Sequence, residues 1–95
     1  MKKYEVLFII NSELAEDAIK SEIAKVQDFL TKNKAANISV DEWGVKKFAY
    51  PINFKSEGYY VLINFEAEAN VPNELEHQLN LNEKIFRNLI VTKEI

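Results

Sequence analysis

Tyr4, Val6, Phe8 and Ile10 fall on one side of an extended segment and Glu5, Leu7 and Ile9 on the other. Tyr4 to Ile10 therefore predicts a strand that is apolar on both faces at its distal end, as a strand inside a sheet is. Asn11-Ser12, turn and cap formers, close it. From Ala15 the period changes. Ile19, Ile23, Val26 and Leu30 recur at spacings of four, three and four, with Glu16, Asp17, Lys20, Glu22, Lys25 and Asp28 mostly between them. This predicts an amphipathic helix to about Lys32, with acids in its first turn and Lys32 and Lys34 at and beyond its end, as the helix dipole favours.

Ile38 to Ala49 is extended in character, with Gly44 where a bulge is expected and Tyr50-Pro51 near its end, where proline cannot donate to a ladder. Asn53 to Gly58 reads as a polar turn region, and Tyr59 to Phe65 as a dense β-branched and aromatic strand completing a hairpin. Asn70-Val71-Pro72 fits a helix start, continued by Leu75 and Leu79, and Ile85 to Lys93 closes the chain as a last strand. The order strand, helix, strand, strand, helix, strand predicts an α+β fold of the ferredoxin-like β-α-β-β-α-β type, a four-stranded antiparallel sheet with both helices on one face. At 95 residues, one domain spanning 1–95 is expected, since two cores would each be too small.

Alternation then assigns two faces. Tyr4, Val6, Phe8, Tyr59, Val61, Ile63, Phe65 and Ile90 turn to the helices, leaving Leu7, Ile9, Tyr60, Leu62, Leu89 and Val91 on the far side. An open sheet covered by one helical layer should be polar on its far side. Six apolar residues there predict a surface that a partner covers.

Composition narrows the setting. Apolar residues are 47% and charged residues 28%, as in a folded globular chain. The absence of cysteine removes disulfides and thiolate metal sites and points to a reducing compartment, the cytoplasm. Val6 to Ile10 is far shorter than a signal core or a membrane span of roughly 20 residues, so no membrane association is expected. Net charge is -3, yet Lys2-Lys3 and Lys46-Lys47 stand apart from the acids.

Catalytic chemistry finds no foothold. The single histidine, His77, has no second histidine or cysteine at ligand spacing, and Asp41-Glu42 and Glu66/Glu68 do not converge. With only Gly44 and Gly58 there is no glycine-rich phosphate loop, and the sole arginine, Arg87, lies on a strand. No enzyme, cofactor, metal or small-molecule substrate is expected. Binding is better served: Tyr4 follows Lys2-Lys3, Trp43 precedes Lys46-Lys47 and Tyr50 follows them, interleaving aromatic planes with phosphate-seeking cations as RNA recognition does.

Trp43-Gly44-Val45-Lys46-Lys47-Phe48-Ala49-Tyr50-Pro51-Ile52 resembles the glycine, basic pair, hydrophobic, Ala-Tyr-Pro-Ile signature of the ribosomal protein S-six family of the bacterial small ribosomal subunit. Tyr4-Glu5 after the basic start, Gly58-Tyr59-Tyr60, and the closing Leu81, Glu83, Ile85, Arg87 and Val91 extend the resemblance over essentially the whole chain. It implies a non-catalytic small-subunit component that binds the central domain of small-subunit ribosomal RNA as a heterodimer with ribosomal protein S-eighteen. Carried over by position, it implies RNA contacts at Lys2, Lys3, Tyr4, Lys46, Lys47 and Arg87. Partner contacts are expected at Leu7, Ile9, Trp43, Tyr50, Tyr60, Leu62, Leu89 and Val91. Many relatives carry a tail beyond the last strand, whereas this sequence stops at Glu94-Ile95, and both members of the basic pair are lysine, which keeps charge without bidentate geometry. The alternative is a free-standing ferredoxin-like module that regulates or oligomerises through its outer face.

Overall fold

The computed structural model describes the backbone of residues 1–52 and 55–93 and the side chains of residues 1–48 and 56–93. The elements follow in the expected order: β1 Lys2–Ile10, α1 Glu16–Lys32, β2 Ala36–Ile52, β3 Lys55–Ala67, α2 Val71–Leu81 and β4 Ile85–Thr92. They form one antiparallel sheet ordered β2-β3-β1-β4 with both helices over one face. Strand β1, the most apolar of the four, is central, paired to β3 from Lys2↔Ala67 to Ile10↔Tyr59 and to β4 from Tyr4↔Thr92 to Ile9↔Arg87.

The boundaries differ most from the sequence reading in the β2–β3 hairpin. Strand β2 begins at Ala36 and runs to Ile52, so the arm of the hairpin is longer than Ile38 to Ala49. Polar Lys55 to Gly58, expected in a turn, opens β3 instead, with Lys47↔Glu57 and Lys46↔Gly58 in register. Cross-strand pairing here overrides turn-like composition, as it does where one strand templates the next.

The core is the set that the two periodicities select. Tyr4, Val6, Phe8 and Ile10 of β1 and Val61, Ile63 and Phe65 of β3 pack against Ile19, Ile23, Val26 and Leu30 of α1 and Val71, Leu75 and Leu79 of α2. Helix α1 ends in a left-handed cap: Ala35 N–H donates to Leu30 C=O (2.9 Å) and Lys34 N–H to Thr31 C=O (3.1 Å), with Lys34 at φ 62°. Glycine is the usual residue at that position because a Cβ is unfavourable there. Lys34→Gly is therefore expected to stabilise the chain by about 0.5–1 kcal/mol, read from the urea midpoint.

One carboxylate is enclosed among these elements. Glu22 of α1 is 2% exposed, accepting a hydrogen bond from Asn82 Nδ2 at 2.6 Å and pairing with Lys25 Nζ at 3.0 Å. Asn82 also accepts from Lys84 N–H (3.0 Å), so this contact ties the α2–β4 turn to α1. Burial is the largest influence on the carboxyl and pushes its pKa up, but the Asn82 and Lys25 contacts together outweigh it and hold the pKa below the ordinary carboxylate value. A depressed folded pKa contributes stability above the unfolded value of about 4.3, and that contribution is lost as pH falls through the folded value. Glu22→Gln is expected to cost about 1–2 kcal/mol at neutral pH and to flatten the acid limb of the stability curve below pH about 4, measured by urea unfolding at several pH values. An acid limb as steep as in the parent would refute this role.

Candidate partner and nucleic-acid interface

The sheet face away from the helices is organised in rows, because residues paired across antiparallel strands share a side. One row is Asp41, Leu62, Leu7 and Leu89 across β2, β3, β1 and β4. The row on one side holds Gly44, Tyr60, Ile9 and Arg87, and the row on the other Ser39, Asn64, Glu5 and Val91. A leucine band thus separates an aromatic, basic end from a polar end. Leu89 is 60% and Val91 40% exposed, while Leu7, Tyr60 and Leu62 are half-buried.

The aromatic end is assembled by two glycines. The β2–β3 register shifts between Glu42 and Gly44, where Gly44 takes φ 84°, giving the bulge expected from the sequence. Trp43, at this bulge, stacks on Tyr60 (centroids 6.3 Å apart, planes 8° apart) and donates from Nε1 to Asp41 Oδ2 at 3.0 Å. Lys46 Nζ lies 5.6 Å from the Trp43 ring centroid, a cation–π contact, and Phe48 meets Tyr60 at 6.2 Å. Gly58 is the second device: a Cβ there would collide with Ile9 Cγ2 and stand 2.8 Å from Phe48 Cζ. Only a bare backbone lets these two side chains close over β3.

This geometry sorts the residues singled out in the sequence. Leu7, Trp43, Tyr60, Leu62, Leu89 and Val91 share the outer face. Ile9 lies on it too but is 7% exposed and approaches Phe48 over Gly58, so little of it remains for a partner. The Tyr50 side chain lies outside the described residues. Tyr4 requires a correction: it faces the helices, is 6% exposed and packs its ring on Phe65 at 5.7 Å, so it belongs to the core and has almost no surface on which a base could stack. The five cations are all exposed but divide between faces: Lys3, Lys46 and Arg87 stand on the outer side, paired with Glu66, Gly58 and Ile9, whereas Lys2 and Lys47 alternate to the helical side.

Sequence reasoning missed Phe48, whose place depends on the β2–β3 register, and Lys93, which pairs with Glu5 (3.4 Å) and donates to Asn64 Oδ1 (3.0 Å) at the polar end. Lys20 is also engaged, bridging α1 to Glu42 of β2 at 3.1 Å, and Tyr59 donates to the same carboxylate at 2.9 Å. The Lys20 hydrogen bond, then that of Tyr59, holds the Glu42 carboxyl below the ordinary carboxylate range. Among the described residues no group of His, Asp and Glu is placed to hold a metal ion, and no helix is long and apolar enough to cross a membrane.

Comparison with known proteins adds the identity of the scaffold. The sequence profile of the Ribosomal protein S6 family matches residues 3–92. The chain belongs to the ribosomal protein S6 family. It is 44% identical over 94 residues to small ribosomal subunit protein bS6 of Clostridium novyi, an alignment covering 99% of both chains. The corresponding proteins of Clostridium acetobutylicum and Desulfitobacterium hafniense are 39% and 35% identical over the same 99% of both chains. In three dimensions it matches the crystal structure of 30S ribosomal protein S6 from Thermotoga maritima with a TM-score of 0.91 at 28% identity, over 97% of this chain and 87% of that one. As an S6 protein it is a structural, non-enzymatic small-subunit ribosomal protein of the bacterial cytoplasm. The ferredoxin-like fold read from periodicity is the fold of the family member.

Proposed function

We propose that this chain binds the central domain of small-subunit ribosomal RNA as a heterodimer with ribosomal protein S-eighteen, the protein partner covering the apolar outer face and the basic residues meeting phosphate. The observation that carries this reading is the band of Leu7, Leu62 and Leu89, with Val91 in the adjacent row, on the face that no helix covers, in a chain of this family. Apolar area of this kind is stabilised when a partner removes it from water.

Net charge supports a shared task. At -3 the chain is a poor ligand for a polyanion by itself, and counterion release scales with the phosphates neutralised by the whole complex. Lys3 and Lys46 lie on the outer side at either end of the apolar band, so RNA would be met at the rim of the protein–protein contact. A binding titration with the central-domain RNA, with and without ribosomal protein S-eighteen, tests the reading. Tight salt-sensitive binding by the pair and weak binding by either protein is the expected result; equal binding without the partner contradicts it.

The basic pair makes a separate prediction. Lys46→Ala with Lys47→Ala is expected to weaken RNA binding by the heterodimer and reduce the slope of log affinity against log salt by up to about two. Since the two side chains leave opposite faces of β2, the slope is expected to change more for Lys46→Ala alone than for Lys47→Ala alone. An unchanged slope would show that neither lysine touches phosphate.

A further inference from the structure

The two edges of the sheet are built differently. Strand β2 carries the register shift at Gly44 and another between Lys47 and Ile52, places Asp41, Glu42, Lys46 and Lys47 along its length, and contains Pro51. Bulges, charges and proline are the devices that keep an edge from pairing with another strand. Strand β4 has none of the three between Asn88 and Thr92: its register with β1 is unbroken there, and its one charged residue, Arg87, lies before them.

The phase of pairing shows which groups of β4 are open. Lys93 N–H donates to Lys3 C=O at 2.8 Å, continuing the β1–β4 ladder. In an antiparallel pair every second residue exchanges bonds with its neighbour, so Arg87, Leu89 and Val91 bond inward to β1 and the N–H and C=O groups of Asn88, Ile90 and Thr92 point away from the sheet. Among the described residues no backbone hydrogen bond outside the ladder reaches these three. The flanks are apolar: Leu89 and Val91 on the outer side, and half-buried Ile90 packed against the core on the helical side.

We infer that the β4 edge is a strand-addition site that takes an extended segment, about five residues long, of the protein partner on the outer face. The segment presents apolar side chains beside Leu89 and Val91 and a carboxylate beside Arg87. This rests on the reading that a protein partner covers that face, with which the edge is continuous. A second copy of this chain fits less well. Strand β4 has no acid to answer Arg87, and a ribbon of two eight-residue strands joins much less surface than the roughly 1,200–2,000 Å² of a stable complex.

Amide hydrogen exchange on the full chain, alone and with ribosomal protein S-eighteen of the same organism, tests the site. The amides of Asn88, Ile90 and Thr92 are expected to gain about tenfold or more in protection on binding, and those of Arg87, Leu89 and Val91, already bonded to β1, to change less. Thr92→Pro, which removes one outward donor, is expected to weaken binding by up to about tenfold, and Thr92→Val, which keeps it, to leave binding unchanged. Should Thr92→Pro unfold the chain, the exchange pattern of the unaltered protein still decides. Binding that leaves those three amides exchanging as in the free chain overturns the edge site while sparing the outer-face reading; failure to bind removes both. Protection that rises with the concentration of this chain alone assigns the edge to a second copy and overturns the proposal.

Discussion

Leu89→Glu is expected to weaken association with ribosomal protein S-eighteen by roughly 100-fold while changing the stability of the free chain by less than about 0.5 kcal/mol. The asymmetry comes from exposure. Leu89 is 60% exposed, so a carboxylate there is well solvated in the free chain and removes little packing. In the complex the same carboxylate would be drawn into the leucine row of Leu62, Leu7 and Leu89, away from water and with no planned partner. A 100-fold loss corresponds to about 3 kcal/mol, within the range of a single buried hot spot. Isothermal titration of variant and parent provides the comparison. Unchanged affinity would place the interface off the sheet face, and a large fall in melting temperature would mean that Leu89 supports the fold itself.

Phe8→Ala produces the largest expected loss of stability, about 3–5 kcal/mol. Phe8 is fully buried on central β1, between Val61 and Asn88 on its neighbours, beneath the helical layer. Truncation there removes transfer energy and leaves a cavity that strands paired on both sides cannot readily close. Against a total of about 5–15 kcal/mol for a typical small domain, this is a large share of stability. The urea midpoint should fall with its slope unchanged, since the surface exposed on unfolding is nearly the same. A loss below about 1 kcal/mol would show that α1 or α2 moves in to fill the space.

Local rules made most of the fold legible. Ile19, Ile23, Val26 and Leu30 identify α1 and its buried stripe, and alternation along Tyr4 to Ile10 separates core from outer face. Tyr4 is instructive, since alternation sends it towards the helices while family position offers it to RNA, and the structure agrees with alternation. Alternation also divides Lys46 from Lys47, which adjacency in the sequence makes look like a single basic unit. What could not be read depends on long-range register. Phe48 and Ile9 both close over β3 only because Gly58 has no side chain, and polar Lys55 to Gly58 becomes strand only because β2 continues far enough to pair with it. Ile9 lies far outside any short window around Phe48 and Gly58, and the hairpin register depends on where β2 turns back, which turn-like composition does not set.

Trp43 carries a practical consequence. It is the only tryptophan in the chain, 43% exposed, stacked on Tyr60 at the aromatic end of the outer face. Its emission comes from one known place, beside the surface assigned to the partner and beneath a lysine assigned to phosphate. Arrival of either molecule should alter the polarity around the indole or displace Lys46 from its ring. The order and rates of assembly can thus be followed by stopped-flow fluorescence on the unmodified protein, with the optical probe already in position.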